Sequence, residues 1–249
     1  MIFDTHAHYN DESYNNDLDQ LINEIKKEVC GIINCATNYS SMEETLKLAQ
    51  KYEGFMFAAF GVHPSELENE YKEEVLLKYL NSKYCVAVGE IGLDYHYLDF
   101  DKETQKYWLI KQIELAKKIN KPVILHDRDS HADILEIIKE YKPSGVLHCF
   151  SGSVEMAREV LKCGLYIGVG GVVTFKNAKK TVEVIKELPL ERLLLETDAP
   201  YLSPEPFRGK RNRSDNIKYV AEKIAEIKGV AVEEVLKANS ENTKKLFKI

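Results

Sequence analysis

Short apolar runs rich in β-branched residues recur along the chain, and segments with helical periodicity separate them. From these runs we predict eight strands, at residues 2–3, 31–35, 55–60, 85–88, 122–125, 145–147, 165–169 and 192–195. Strands that are apolar throughout and alternate with helices pair in parallel and are covered on both faces. The pattern therefore predicts an α/β fold with a parallel sheet.

The helical segments carry recognisable ends. The clearest one covers residues 101–120, which begin with acidic residues and end with a pair of lysines. After the eighth strand, Ser214 is predicted to cap a helix that Gly229 ends. Residues 232–247 are predicted to form a closing helical segment at the end of the chain.

Eight strand–helix units within 249 residues favour a closed (β/α)₈ barrel of the TIM type, which typically needs about 250 residues. An open doubly wound sheet is the alternative. Its nucleotide-binding form carries a glycine-rich turn after the first strand, where this chain has Thr5-His6-Ala7-His8. Because we find no low-complexity segment or linker, we predict one catalytic domain over residues 1–249, closed by C-terminal helices.

Composition narrows the class of protein. With 44% hydrophobic and 30% charged residues, the chain is too apolar to be disordered. A net charge of −6 argues against a surface that binds polyanions everywhere, so any contact with nucleic acid is expected to be local. No apolar run approaches the ~18 residues of a membrane span, and the first residues do not resemble a signal peptide. We therefore expect a cytoplasmic protein with no membrane contact.

Six side chains that can bind metals follow the apolar runs of five predicted strands. They are His6, His8, Glu90, His126, His148 and Asp198. In a parallel barrel these positions lie at one rim, where active sites of this architecture are found. A single histidine of this kind is more often a structural residue, but the convergence of four histidines and two carboxylates indicates a metal site.

The set contains more ligands than one tetrahedral ion needs. A shared carboxylate can bridge two ions about 3.5–4 Å apart, and such a pair activates a water and stabilises the attacking and leaving oxygens of a phosphoester. We therefore predict a two-metal hydrolytic site. Its metal stays open, because imidazoles accept Zn²⁺ readily whereas carboxylates and phosphate substrates also suit Mg²⁺ and Mn²⁺.

Sequence motifs surround these positions. In chain order they are FDTHAH at 3–8, GVHP at 61–64, GEIGLDY at 89–95, LHDR at 125–128, HCFSG at 148–152, LETDAPY at 195–201 and RGKRN at 208–212. Together they resemble the TatD family of metal-dependent deoxyribonucleases, and the resemblance spans almost the whole chain. That family belongs to the metal-dependent amidohydrolase-like barrels, so the resemblance implies the same barrel fold.

The resemblance also implies a role for each ligand. One ion would be held by His6, His8 and Asp198, the other by His126 and His148, and Glu90 would bridge them. Many amidohydrolase-like barrels bridge their metals with a carboxylated lysine, so a glutamate at this position disfavours a typical amidase. Asp198 is also a candidate general base for the attacking water. Glu196 is expected either to orient a ligand or to form a buried salt bridge.

Candidate substrate-binding residues lie on the same side of the predicted barrel. Arg208 and Arg211 belong to a cationic loop after the eighth strand, and guanidinium groups match phosphate oxygens. The alternative for this loop is a solvated charged surface. Arg128 is a candidate contact to the scissile phosphate, and the resemblance places His63 in the pocket. Aromatic residues near the same rim could stack unpaired bases; they are Tyr95, Tyr97, Phe150 and Tyr201.

These observations lead to one main hypothesis and two alternatives. The main hypothesis is a metal-dependent hydrolase that cleaves phosphodiester bonds of DNA as an exonuclease, acting on single strands or ends with two divalent ions. The preference for DNA comes from the resemblance alone. The alternatives are a hydrolase of another ester or amide, such as an aminoacyl-tRNA end, and a non-catalytic barrel that binds nucleic acid. Nothing in the sequence indicates an obligate protein partner.

Overall fold

A computed structural model describes residues 2–97 and 99–249, and its eight strands form one sheet in chain order. The strands are β1 (Ile2–Ala7), β2 (Val29–Cys35), β3 (Met56–Phe60), β4 (Cys85–Asp94), β5 (Val123–Arg128), β6 (Gly145–Leu147), β7 (Tyr166–Val169) and β8 (Leu193–Leu195). Each pairs in parallel with the next. The sheet nearly closes, because Ala7 bridges to Ala199 and the Thr5 hydroxyl donates to the Leu195 carbonyl at 3.0 Å. The predicted barrel is thereby confirmed.

A helix lies between each pair of successive strands, and further helices follow the last strand. They are α1 (Leu18–Ile25), α2 (Tyr39–Lys51), α3 (Glu73–Leu80), α4 (Lys102–Lys118), α5 (His131–Tyr141), α6 (Val154–Lys162), α7 (Lys179–Glu187), α8 (Ile217–Lys228) and α9 (Val232–Phe247). The helix predicted at 101–120 is α4, where the Asp101 side chain accepts the Thr104 N–H at 2.9 Å. Among the helices described, none is long and apolar enough to cross a membrane.

The predicted cap of the helix after β8 is wrong. Ser214 lies in a short 3₁₀ turn before α8, and no side chain caps that helix. The Ser214 hydroxyl instead donates to the buried Asp4 carboxylate at 2.6 Å, so it ties the long loop after β8 to β1. The other end is as predicted, since Gly229 ends α8 in the left-handed conformation with φ 68°.

Apolar side chains fill the barrel away from the rim of polar residues. One buried cluster contains residues from every strand together with two from α9: Phe3, Ile33, Cys35, Ala59, Val86, Ala87, Ile124, Val146, Tyr166, Leu194, Leu246 and Phe247. The helix α9 is held at β1 and β8 by Asn239, whose amide donates to the Phe3 carbonyl at 2.8 Å and accepts the Leu195 N–H at 2.8 Å. The barrel is therefore packed and closed at one end, which leaves the carboxyl ends of the strands for chemistry.

Candidate metal centre

The six predicted metal ligands lie together at the carboxyl ends of the strands. They come from β1 and its end (His6 and His8), β4 (Glu90), β5 (His126) and the segments after β6 and β8 (His148 and Asp198). Groups of these side chains, together with His63, have ligand atoms within 4.8 Å of one another. The structure thus brings all six to one place, while their assignment as ligands stays a prediction.

The Glu90 carboxylate lies between two pairs of histidines. Its Oε2 is 3.2 Å from His6 Nε2 and 3.4 Å from His8 Nε2. Its Oε1 is 3.0 Å from His126 Nδ1 and 2.9 Å from His148 Nε2. Each carboxylate oxygen therefore faces one pair of imidazoles, which is the arrangement that a carboxylate bridging two cations requires.

Asp198 completes the first pair. Its Oδ1 is 3.6 Å from His6 Nε2 and 3.4 Å from His8 Nε2. The residue has φ 57°, a left-handed conformation that costs an aspartate energy and that persists where surrounding contacts enforce it. Here its N–H donates to the His6 carbonyl at 2.9 Å, so β1 holds the strained residue in place.

The outer nitrogens of the first pair both contact Cys35 at the end of β2. His8 Nδ1 lies 3.0 Å from the Cys35 carbonyl and must donate to it, because a carbonyl oxygen can only accept. In the neutral ring, His8 Nε2 then carries a lone pair that points at the carboxylates. His6 Nδ1 lies 3.5 Å from Cys35 Sγ, which leaves its Nε2 facing the centre as well.

Carboxylates support the second pair. His126 Nε2 lies 3.1 Å from Asp94 Oδ2, so the Nδ1 atom of this ring faces Glu90. Glu196 is buried, accepts the Cys149 N–H and has its Oε1 3.7 Å from His148 Nδ1. The separation of 3.7 Å is longer than a hydrogen bond, so both expected roles of Glu196, orienting a ligand and forming a buried salt bridge, stay predictions.

The contact between Asp94 and His126 is not predicted from the sequence. Strand β4 was predicted to end at residue 88, whereas it continues to Asp94. Residues four apart on a strand point to the same face, so Asp94 follows Glu90 toward the centre. The GEIGLDY segment contains Asp94 four residues after Glu90, but this spacing indicates a shared face only when the segment is treated as a strand.

Acid–base properties of the centre favour bound cations. Burial lowers the pKa of His8, but Asp198 and Glu90 outweigh this effect and raise it to about 10. Burial likewise lowers the pKa of His126, and Asp94 and Glu90 raise it to about 9. The buried carboxylates therefore require positive charge among them. Divalent cations supply that charge on the imidazole lone pairs that protons would otherwise occupy, so the residues present fit a metal centre.

His63 lies beside the centre as a neutral ring, and its protonated nitrogen faces Glu90. The Ser65 N–H donates to His63 Nδ1 at 3.2 Å, so that nitrogen is an acceptor. Burial, followed by the charge of His126, lowers the pKa of His63 to about 3. The ring is then neutral with its proton on Nε2, which lies 3.6 Å from Glu90 Oε1. His63 is therefore a hydrogen-bond donor at the edge of the centre, and its predicted contact with substrate stays open.

A cavity of about 660 Å³ opens above these residues. His63, Arg128, Tyr201 and the exposed face of Asp198 line it. The Arg128 guanidinium lies 4.9 Å from the ring centroid of Tyr97, which holds it beside the rim. The placement suits the predicted contact between Arg128 and a phosphate.

The two loop arginines predicted to bind substrate lie elsewhere. Arg211 forms a two-point ion pair with Asp17 at 2.9 and 2.5 Å. Arg208 lies over the Phe175 ring, 4.4 Å from its centroid. Neither belongs to the lining of the cavity in the parts of the chain that the structure describes. Their contact with phosphate stays a prediction, and the pairing of Arg211 leaves fewer of its donors available for it.

Comparisons with known proteins agree with this site. The family model described as TatD related DNase matches residues 3–248. YabD of Bacillus subtilis (strain 168), named as a metal-dependent hydrolase, is 45% identical over 255 residues that cover 100% of both chains. TATDN3 of Mus musculus, provisionally named a deoxyribonuclease, is 34% identical over 262 residues, covering 99% of this chain and 88% of that protein.

Among solved structures, YjjV, a TatD homologue from Escherichia coli K12, is similar over 100% of this chain and 98% of its own. The two share 36% identity with a TM-score of 0.91. These findings confirm both the resemblance seen in the motifs and the prediction of a metal-dependent hydrolase. The chain belongs to the TatD family of metal-dependent hydrolases.

Proposed function

We propose that this chain hydrolyses phosphodiester bonds at the ends of DNA strands with the help of two divalent cations. The observation that carries the proposal is the position of Glu90, whose two oxygens each face a separate pair of histidines. The description of the matching family and the name of TATDN3 support DNA as the substrate. The proposed partner is single-stranded DNA or a DNA end, and the proposed location is the cytoplasm.

Each ligand has a place in this proposal. Glu90 would bridge the two cations, the first cation would be held by His6, His8 and Asp198, and the second would be held by His126 and His148. Such ions, when bound, lower the pKa of water and neutralise charge on a phosphate. The mixed set of nitrogen and oxygen donors is compatible with Zn²⁺, Mn²⁺ and Mg²⁺.

The carboxylates of the centre differ in their access to a water molecule. The Asp198 side chain is 17% exposed and lines the cavity, whereas the Glu90 side chain is 5% exposed. An attacking water that enters from the cavity therefore meets Asp198 first. In our proposal Asp198 accepts the proton of that water as general base.

Two further side chains bind the substrate. The Nε2–H of His63 points toward Glu90 at the floor of the cavity and can donate to a phosphate oxygen held there. Arg128 is exposed at the rim and lines the same cavity, where its planar group matches phosphate geometry. These contacts hold the phosphate in line with the water, which lowers the entropy cost of the reaction.

The test is digestion of end-labelled single-stranded and double-stranded DNA by metal-stripped protein, before and after addition of Mn²⁺, Mg²⁺ or Zn²⁺. We expect stepwise loss of terminal nucleotides only with metal, and loss that is at least about 100-fold slower with Glu90→Gln. Preferential turnover of an aminoacyl ester assayed in parallel would favour a different hydrolase. Binding of DNA without any cleavage after metal loading would favour the non-catalytic barrel.

A further inference from the structure

We infer that the cavity binds one phosphate and one base at the end of a strand. A dinucleotide and a long strand should therefore be cleaved with the same kcat/KM per strand end. The inference rests on the proposed phosphodiesterase function. It specifies that the protein recognises the end of a strand and not the length of the strand behind it. Three observations support it: the charges that line the cavity, the pairing of Arg211 and Arg213 with carboxylates outside it, and an exposed tyrosine beside the proposed metal ligands.

The lining of the cavity is poor in cations. Among the residues described, Arg128 is the one permanent cation that lines it. Apart from the metal-facing carboxylates, the lining contains Asp11 and Glu66, together with Asp127, whose buried side chain is paired with His131 at 2.6 Å. Proteins that bind long single strands follow the backbone with a positively charged groove. A strand that extended along this cavity past Arg128 would instead meet carboxylates.

Two arginines of the loop after β8 are paired with carboxylates outside the cavity. Arg211 is paired with Asp17, as described above. Arg213 is paired with Glu24 at 3.3 Å and with Asp215 at 2.7 Å. Both guanidinium groups thus have carboxylate partners, which cancel much of the field that would attract further phosphates.

An exposed aromatic ring adjoins the metal ligands. Tyr201 is 54% exposed and lines the cavity, and its ring centroid lies 6.4 Å from that of His8. Its hydroxyl donates to Asp11 Oδ2 at 3.0 Å, which fixes the orientation of the ring. The next residue, Leu202, is 37% exposed, lines the same cavity and has φ 52°. An oriented ring and an apolar neighbour at this place form a platform on which one unpaired base can stack.

The size of the cavity agrees with the binding of one terminal phosphate and one base. Its volume of about 660 Å³ lies within the ~300–1,000 Å³ of clefts that bury small ligands. Such a space suits one or two nucleotides. Phosphates further along the strand remain in solvent, where they add little to binding.

The first experiment compares oligothymidylates of two, five and twenty nucleotides with the Mn²⁺-loaded protein. We expect kcat/KM per strand end to agree within about threefold across the series, with a salt slope near the ~0.7 of one phosphate contact. A rise of more than about tenfold with length, or a slope of several contacts, overturns the inference alone. Cleavage of no member of the series overturns the proposed function as well.

The second experiment tests the platform. Loss of one stacked base in Tyr201→Ala is expected to lower kcat/KM by about 5-fold to 100-fold, equally at all lengths. Tyr201→Phe keeps the ring and should restore most of the activity. The matched control is Tyr107→Ala, which removes a tyrosine that is 53% exposed on α4 outside the cavity. We expect it to cleave all three substrates as the unmodified protein does.

A substrate whose terminal nucleotide lacks its base separates stacking from a loss of folding. The unmodified protein should lose activity on it by the same factor that Tyr201→Ala loses on the normal substrate, and Tyr201→Ala should lose nothing further. Additive losses would overturn the platform. A double variant, Arg208→Ala with Arg211→Ala, that cleaves the twenty-nucleotide strand poorly but spares the dinucleotide would show that the loop holds distant phosphates, which also overturns the inference.

Discussion

Asp94 determines which nitrogen of His126 carries the proton. Its Oδ2 lies 3.1 Å from His126 Nε2, while its Oδ1 accepts the N–H groups of His96 at 2.9 Å and Tyr97 at 3.2 Å. In Asp94→Asn the side-chain oxygen should stay with these two donors, so the amide NH₂ replaces Oδ2 and faces Nε2. The ring must then protonate at Nδ1, which faces Glu90. We expect His126 to lose the lone pair that binds a cation.

The size of the effect follows from the bond that is lost. A hydrogen bond to a charged group contributes about 1.5–3 kcal/mol, and about 1.4 kcal/mol corresponds to a factor of ten. Asp94 is 2% exposed, so water cannot readily replace the bond. We therefore expect the cation at His126 and His148 to bind about 10-fold to 100-fold more weakly, in line with other outer partners of metal-bound imidazoles. The cation at His6 and His8 should bind as before.

Calorimetric titration of metal-stripped protein with Mn²⁺ or Zn²⁺ measures this difference directly. The isotherm should change from two tight sites to one tight and one weak site, and turnover at limiting metal should fall in parallel. Asp133→Asn is the matched control, because Asp133 binds the Tyr95 hydroxyl at 2.7 Å and Lys106 at 2.8 Å, away from the centre. If folded Asp94→Asn binds metal and turns over substrate like the control, the tautomer argument is refuted.

Three further changes test the centre. Glu90→Gln keeps the shape of the bridge but removes its charge, so turnover should fall at least about 100-fold while the fold survives by circular dichroism; near-normal turnover would indicate a one-metal site. Chelation should abolish hydrolysis, and undiminished activity in stripped protein by elemental analysis would refute metal dependence. In Gly168→Ala the new Cβ would lie 2.6 Å from Glu196 Oε2 and 2.8 Å from His148 Cα. We expect urea unfolding to show a loss of about 1–3 kcal/mol, and an unchanged midpoint would contradict this close packing.

The strands could be predicted because parallel strands buried on both faces are apolar at every position. β6 was predicted at 145–147 and is observed as Gly145–Leu147. β1 was predicted to end at residue 3 and continues to Ala7, because the polar residue Asp4 is paired inside the barrel. Its carboxylate accepts the N–H and hydroxyl of Thr197 at 3.0 and 2.6 Å. The hydrophobic pattern cannot reveal that β1 continues past Asp4, because Thr197, the partner of Asp4, lies 193 residues away.

Within the centre, the sequence predicted which side chains converge but not what holds them. The supporting contacts from Cys35 and Asp94 depend on where β2 and β4 end and on which imidazole nitrogen points outward. Those details are tertiary, so spacing along the chain does not encode them. Arg211 shows the same limit, because its carboxylate partner Asp17 comes from a segment 194 residues earlier.

The distinction between strands and loops explains why the chemistry of this chain is easier to derive than its substrate. The ligands lie on strands or directly after them, and barrel closure places every strand end at one rim regardless of what the loops do. Tyr201 and Arg211 lie in the long segment after β8, where a single ion pair decides whether a cation faces the cavity or a neighbouring loop. Metal-dependent hydrolysis therefore follows from the side chains at the strand ends, whereas the recognition of a base or a phosphate depends on side-chain pairings that only the folded loops establish.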